Sequence, residues 1–225
     1  MGKPRRMTAA DWEGCTYPGS MLAHLRTGSA RKLRLFVRAS IRHIWPLLPD
    51  PRSRRAVEAA ELWADGFLSA RDLRKARATA FEAEGERGEA NYYAVRAATR
   101  VTIPRKDWVV YTARCASMAV ASRQDEERHQ CGLLRDIFGN PFRPLPALDP
   151  AWLAWNEGIV RRLAEAAYQD RLLPDGTLDA GRLEVLADAL EEAGCDNEEI
   201  LSHLRQQEII HYRGCWVVDL LLNKV

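Results

Sequence analysis

The sequence predicts an all-α protein, and three observations lead to that prediction. Apolar residues recur at the three- and four-residue spacing of amphipathic helices, and no stretch shows convincing strand alternation. Ser, Asp, Gly and Pro stand where helices would begin and end. Apolar residues make up 47% of the 225 residues and charged residues 28%, an ordinary globular composition. We therefore expect a single multi-helical domain over residues 1–225, with about ten helices.

The first half of the chain gives clear helix boundaries. Ser29 is a candidate N-cap, and prolines follow the helix that it begins. Gly66 ends the next helix, and the glycine-broken stretch 84–89 is predicted to be a loop. Apolar residues on most faces of 108–121 indicate a buried central helix. Helices are expected over the ranges 29–45, 52–64, 69–84, 92–101 and 108–121.

The second half begins with a helix that Gly139 ends. The proline-rich passage 139–150 follows, and we interpret it as a strap or a sub-domain boundary, because proline cannot continue a helix. Asp149 is then a candidate N-cap with Pro150 at the first helical position. The final apolar segment, 216–222, is predicted to be a helix, with a strand as the alternative. Helices are expected over the ranges 125–138, 150–170, 179–193, 200–205 and 216–222.

Charge is unevenly distributed along the chain. Residues 1–55 carry 12 Lys and Arg against 3 Asp and Glu, a net of +9, whereas residues 115–225 carry 11 against 19, a net of −8. The basic end could bind nucleic acid through Arg34, Arg38 and Arg42, since phosphate contacts need clustered cations. The alternative is that the basic and acidic parts neutralise each other within one fold or between chains.

A second candidate surface lies around the proline-rich passage. Trp152 and Trp155 follow it, and together with Phe142 and Arg143 they could bind a protein partner. The alternative is that the two tryptophans pin the passage to the core.

Metal-binding residue types occur near the C-terminal end. His203, His211 and Cys215 could bind zinc, with Cys195 as a further soft ligand. Only the His211–Cys215 spacing resembles a ligand pair, and the alternative is that the two cysteines are buried small apolar residues.

Two Glu-x-x-His pairs give a second metal hypothesis. Glu126 with His129, and Glu208 with His211, have the spacing found in carboxylate-bridged di-iron bundles. Further glutamates would have to complete such a site, and the candidates are Glu89, Glu184 and Glu191. The alternative is that these are surface glutamates and unrelated histidines.

Other classes of protein are not indicated. Five widely spaced cysteines do not form the pattern of a disulfide framework, and no signal peptide or 18-residue apolar run is found, so we expect a cytoplasmic protein without a membrane span. No glycine-rich phosphate loop is present. Cys131 and His129 fall on different helix faces, which disfavours a catalytic pair, and we expect no enzyme.

Several blocks of the chain resemble a paralogous group of uncharacterised bacterial proteins, chiefly from planctomycetes. These blocks are 133–144, 186–195 and 213–222, with shorter matches at 8–12, 31–36 and 52–58. Members often carry cysteines where this chain has 37–40, and they tend to lack the counterparts of Glu208 and His129. Paralogues with variable middle regions imply recognition more than one fixed chemistry.

The sequence alone therefore favours a non-catalytic protein-interaction or scaffold module. Nucleic-acid binding through the basic N-terminal helices is the first alternative, and a Cys/His or Glu/His metal-binding protein is the second, with zinc as its cofactor. The sequence gives neither the partner nor the oligomeric state.

Overall fold

The computed structural model describes residues 7–25, 28–85, 91–103 and 107–224, and α-helices dominate it. These ranges contain twelve α-helices and a 3₁₀ turn at Trp45–Leu47, and they contain no strand beyond two isolated bridges. The all-α prediction is confirmed. The predicted loop at 84–89 falls mainly on 86–90, outside the described residues.

The helices divide between two compact units, unit 1 at 1–134 and unit 2 at 135–225. The division falls inside α8, upstream of the proline-rich passage 139–150, and the single-domain prediction stays a prediction. In chain order the helices are α1 Ala9–Gly14, α2 Pro18–His24, α3 Ala30–His43, α4 Pro51–Ala64, α5 Ala70–Gly85, α6 Tyr92–Arg100, α7 Asp107–Ala119, α8 Arg123–Phe138, α9 Pro150–Gln169, α10 Ala180–Glu192, α11 Glu198–Arg205 and α12 Trp216–Leu221.

Unit 1 is organised around α3, which packs against α4, α6 and α7. Ser29 caps α3 as predicted, its hydroxyl accepting from the Lys32 amide. Phe36 and Ile41 are fully buried on this helix. Because neighbouring helices cover α3 on several sides, it also buries charged residues, which the amphipathic pattern did not predict.

Helices α1 and α2 were not predicted from the sequence. Each has only six or seven residues, too few for a helical period to stand out. Their caps nonetheless follow the ordinary rules. Thr8 and Asp11 form a reciprocal capping box on α1, and Pro18 occupies the first turn of α2.

Unit 2 packs α9, α10, α11 and α12 around one apolar cluster. Helix α10 lies against α9 and α11, and α12 lies against the same two helices. Asp149 caps α9 and Asp179 caps α10, both as predicted. Helix α11 begins at Glu198 with Asn197 as its N-cap, and 216–221 is helical, so the strand alternative is wrong.

Helix α9 is interrupted, in contrast to the continuous helix predicted over 150–170. Asn156, Glu157 and Gly158 all have positive φ, and they separate a short first segment from the longer helix that follows. A left-handed conformation is costly for the two non-glycine residues. The interruption changes the chain direction just after Trp155, which packs against the apolar cluster.

Candidate metal centre

Four side chains that can ligate metal converge within unit 2. Asp136, His203, His211 and Cys215 each offer one donor atom, and these atoms lie within 4.8 Å of one another. Among residues 7–25, 28–85, 91–103 and 107–224, this is the one group of three or more such residues close enough to share an ion. Asp136 and Cys215 are fully buried, His211 is almost so, and the His203 side chain is 12% exposed.

Separate elements supply the four donors. Asp136 lies in the last turn of α8, and His203 lies on α11, whose apolar side is buried in the cluster. His211 and Cys215 lie at either end of a short irregular stretch, and Cys215 is the N-cap residue of α12. Donors distant in sequence therefore meet only in the folded unit.

Two glycines allow these elements to come close. Gly214 has φ +101 inside the turn that the Tyr212 carbonyl and the Cys215 amide close, a conformation that favours glycine. Gly139 has φ +62 directly after α8, and a Cβ there would lie 3.3 Å from Cγ of Trp216. The end of α8 and the start of α12 are thereby held side by side, which places Asp136 near Cys215.

The distances show Asp136 at the centre of the group. His211 Nδ1 lies 2.7 Å from Asp136 Oδ1, and His203 Nε2 lies 3.3 Å from the same oxygen. His203 Nε2 also lies 3.3 Å from Cys215 Sγ. The second carboxylate oxygen accepts a hydrogen bond from the Tyr212 amide at 2.9 Å, which fixes the plane of the carboxylate.

The two acidic groups, the Asp136 carboxyl and the Cys215 thiol, have pKa values shifted in opposite directions. Burial alone would raise the pKa of Asp136, but hydrogen bonds from His203 and His211 outweigh it and hold that pKa well below its usual range. Burial, together with the nearby Asp136 charge, raises the pKa of Cys215 well above its ordinary value. The carboxylate is therefore ionised, while the thiol needs a cation to become a thiolate.

Two of the donor distances match those around a tetrahedral zinc ion. Bonds of about 2.0 Å to nitrogen or oxygen and about 2.3 Å to sulfur put neighbouring donors about 3.3 to 3.6 Å apart. Both His203 distances match that spacing. The 2.7 Å contact between His211 and Asp136 is a hydrogen bond that an ion would lengthen by about 0.6 Å.

Three of these four residues were predicted from the sequence. The structure brings His203, His211 and Cys215 together, whereas Cys195 is not in the group and lies buried in the apolar cluster of unit 2. Asp136 was missed. Its signal was present, because an acidic residue stands between Leu133 and Ile137 on the buried side of α8.

The Glu-x-x-His pairs do not form a metal site in the described part of the chain. Glu126 is buried, and its Oε2 lies 2.6 Å from His43 Nδ1 while Oε1 accepts from Gln130. Glu208 is exposed, and His211 is paired with Asp136 instead. Of the other predicted glutamates, Glu184 and Glu191 are exposed, and Glu89 lies outside the described residues.

The residues predicted to bind nucleic acid lie mostly inside unit 1. Arg38 and Arg42 are buried, and Arg42 donates through two nitrogens to both carboxylate oxygens of Glu61. Arg34 is half-buried with its guanidinium 4.7 Å from the Trp63 ring centroid. These arginines do not form one exposed face, because α4, α6 and α7 pack against α3.

The predicted partner-binding residues range from buried to exposed. Trp152 is buried, and Trp155 is half-buried against the apolar cluster of unit 2. Phe142 is half-buried and Arg143 is exposed. The two tryptophans thus belong to the packing of unit 2, in line with the alternative that they serve the core. A partner at this surface stays a prediction.

Comparison of the chain with family models, curated proteins and solved structures found no match. Within the described residues, none of the helices combines the length and the apolar character that crossing a bilayer requires. No disulfide joins any of the five cysteines, all of which lie in described ranges. The geometry of the four-donor group is therefore the main guide to function.

Proposed function

We propose that unit 2 binds one zinc ion through Asp136, His203, His211 and Cys215. One observation carries the proposal: Asp136 and three donors within residues 203–215 meet in a largely buried position, with the donor atoms within 4.8 Å of one another. Burying a carboxylate and two imidazoles together costs free energy unless hydrogen bonds or a cation compensate them.

Hydrogen bonds satisfy the Asp136 carboxylate but do not use every donor and acceptor of the group. A histidine nitrogen carries at most one proton, yet His203 Nε2 lies equally close to an oxygen of Asp136 and the sulfur of Cys215. A cation at the centre would use a lone pair from each of the four residues. It would also compensate the charge of a carboxylate that has no exposure to solvent.

The donor types favour zinc. Two imidazoles, one thiolate and one carboxylate suit a borderline cation, whereas magnesium and calcium prefer oxygen alone. Four protein donors complete a tetrahedral shell and leave no position for a substrate, which favours a non-catalytic ion.

The test is the metal content of the full chain, purified without chelators and without a metal-affinity tag. Native mass spectrometry and elemental analysis should find one zinc per chain. Cys215→Ser and His203→Ala should each lower zinc affinity by about 10-fold or more, since each removes a ligand.

Two variants serve as matched controls. Cys195→Ser changes a buried cysteine of the same unit that is outside the group, and His24→Ala changes an exposed histidine. Both should keep one zinc per chain. Zinc that stays bound at full affinity in Cys215→Ser, or a wild-type chain that binds none, would refute the proposal.

A further inference from the structure

We infer that zinc at this site holds the closing segment, residues 206–222, against unit 2, so that loss of the ion releases α12 and exposes its apolar face. This inference rests on the proposed zinc binding and adds a consequence to it. It makes unit 2 a metal-responsive switch whose output is an apolar surface.

Helix α12 has little stability of its own. It spans six residues, well below the length at which an isolated helix is stable in water. No side chain caps its N-terminus, where the N-cap residue is Cys215, itself a proposed ligand. Its position therefore depends on what holds the segment before it.

The segment is held at two points by proposed ligands. His211 and Cys215 lie within it, and the other two donors, Asp136 and His203, lie on helices that it packs beside. A shared ion would thus join the closing segment to α8 and α11 at one point. The ion would bond to α8, to α11 and twice to the closing segment. Its two ligands in the closing segment, His211 and Cys215, lie on either side of Gly214.

The face of α12 that packs against unit 2 is strongly apolar. Trp216, Val217, Val218 and Leu221 are all buried in the cluster that α9, α10 and α11 complete. If α12 moves away, these side chains and the facing surfaces of α9 and α11 become exposed.

The point of opening follows from where the buried charge lies. The Asp136 side chain has no exposure and sits between the end of α8 and the closing segment. Without a cation, the link between α8 and the closing segment is reduced to the hydrogen bonds that Asp136 accepts from His211 and from the Tyr212 amide. The packing of α10 on α11 does not involve the group, and Arg205 reinforces it through Asp188 and Glu191.

Other contacts of the segment oppose release but do not replace the ion. Arg213 donates to the Tyr168 carbonyl at the end of α9, and Tyr212 forms a β-bridge with Thr177. These hydrogen bonds are made by the irregular stretch before α12 and not by the apolar face of that helix. We therefore expect local opening of 206–222 while the rest of unit 2 keeps its structure.

Hydrogen exchange followed by mass spectrometry tests this on the full chain, first zinc-loaded and then after chelation. Peptides within 206–222 should exchange about 10-fold faster or more after chelation. Peptides within α10 and within α4 of unit 1 should change less than about twofold. Adding zinc back should restore the original protection, which separates a switch from irreversible unfolding.

Three outcomes would overturn the inference. Exchange that rises equally throughout unit 2 would mean that the ion stabilises the whole unit, and unchanged exchange at 206–222 would mean that packing alone holds the segment. Protection that zinc does not restore would exclude a switch. In each case zinc content, measured on the same samples, still reports the proposed function separately. Cys215→Ser should show the open pattern even with zinc present, and Cys195→Ser should not.

Discussion

Each unit buries charged groups, but the two units compensate them differently. In unit 1, Arg42 and Glu61 are both almost fully buried, and two hydrogen bonds of 2.8 Å join the guanidinium to both carboxylate oxygens. In unit 2, the contacts of the Asp136 carboxylate are two histidines and one backbone amide, with a thiol beside them. The first arrangement is complete with protein groups alone, whereas the second presents four donors to a common centre.

The comparison shows how to distinguish a structural ion pair from a metal site in a fold with no ligand present. A complete pair matches every donor with an acceptor. A metal site gathers donor atoms from several side chains around one centre. Four experiments test this comparison and the packing of the two units, from the largest expected effect to the smallest.

The largest effect should come from Asp136→Asn, and it should depend on zinc. With zinc at about 1,000 times its Kd, loss of binding should lower the free energy of unfolding by about 4 kcal/mol. In chelator the same substitution should still destabilise, because it weakens the hydrogen bonds from His203 and His211, but the loss should be smaller by the contribution of the ion. Urea unfolding with and without zinc measures the difference, and Asp175→Asn, an exposed change in the same unit, is the control. Equal destabilisation in both conditions would contradict a metal-linked role.

Glu61→Gln should be costly in either condition. It leaves the buried Arg42 guanidinium without its counter-charge, which lowers the free energy of unfolding by about 3 kcal/mol. Zinc and chelator should give the same loss, measured in the same urea titrations. Glu58→Gln, an exposed change on the same helix, should be nearly neutral. A loss of stability that depends on zinc would mean that the Arg42–Glu61 pair is also coupled to the metal, which would contradict the comparison of the two units.

The third prediction concerns acid sensitivity in unit 1. Burial, and then the neighbouring His43, lower the pKa of His129 to about 4. Because the folded pKa lies below the unfolded value near 6.5, neutral His129 gives its full contribution above pH 6.5 and loses it as the pH falls towards 4. Between about pH 6.5 and pH 5 this residue should remove about 2 kcal/mol of stability.

Stability measured from about pH 7 to pH 5 should fall less steeply in His129→Gln than in the wild-type chain. His24→Gln changes an exposed histidine and should follow the wild-type slope. Parallel slopes for wild type and His129→Gln would mean that His129 is protonated as easily in the folded chain as in the unfolded one.

The smallest effect should come from two alanine substitutions, one directly after α8 and one within it. Gly139→Ala places a Cβ 3.3 Å from Trp216 at a residue with φ +62, and it should destabilise by about 1 kcal/mol. Gly132→Ala, seven residues earlier and within α8, has open space and should stabilise by about 0.5 to 1 kcal/mol. Opposite signs in thermal unfolding would agree with a left-handed, closely packed Gly139, and a stabilising Gly139→Ala would contradict it.

The helices were the part of the fold that local sequence could predict. Long helices with ordinary caps, such as α10 between Asp179 and Gly194, follow from side-chain chemistry within a few residues. The interruption of α9 was not predicted, although Asn156 and Gly158 are residue types that readily adopt the left-handed conformation found there. The helical spacing of apolar residues after the interruption hid this signal.

Only part of the metal centre could be predicted from local sequence. His203, His211 and Cys215 could be selected by residue type, but Asp136 lies 67 positions before His203 and carries no ligand spacing. Its place on an apolar side of α8 was the available signal. The arginines of α3 show the converse, since sequence predicts that they share a face but not that other helices enclose that face.

The separation of the four donors along the chain also bears on how unit 2 folds. A zinc ion bound to Asp136 and Cys215 would close a loop of about 80 residues that contains α9, α10 and α11. By analogy with a disulfide that closes a loop of this length, restricting the unfolded chain would contribute about 4.5 kcal/mol. During synthesis Asp136 emerges first and Cys215 last, so the cross-link can form only when nearly the whole unit has left the ribosome.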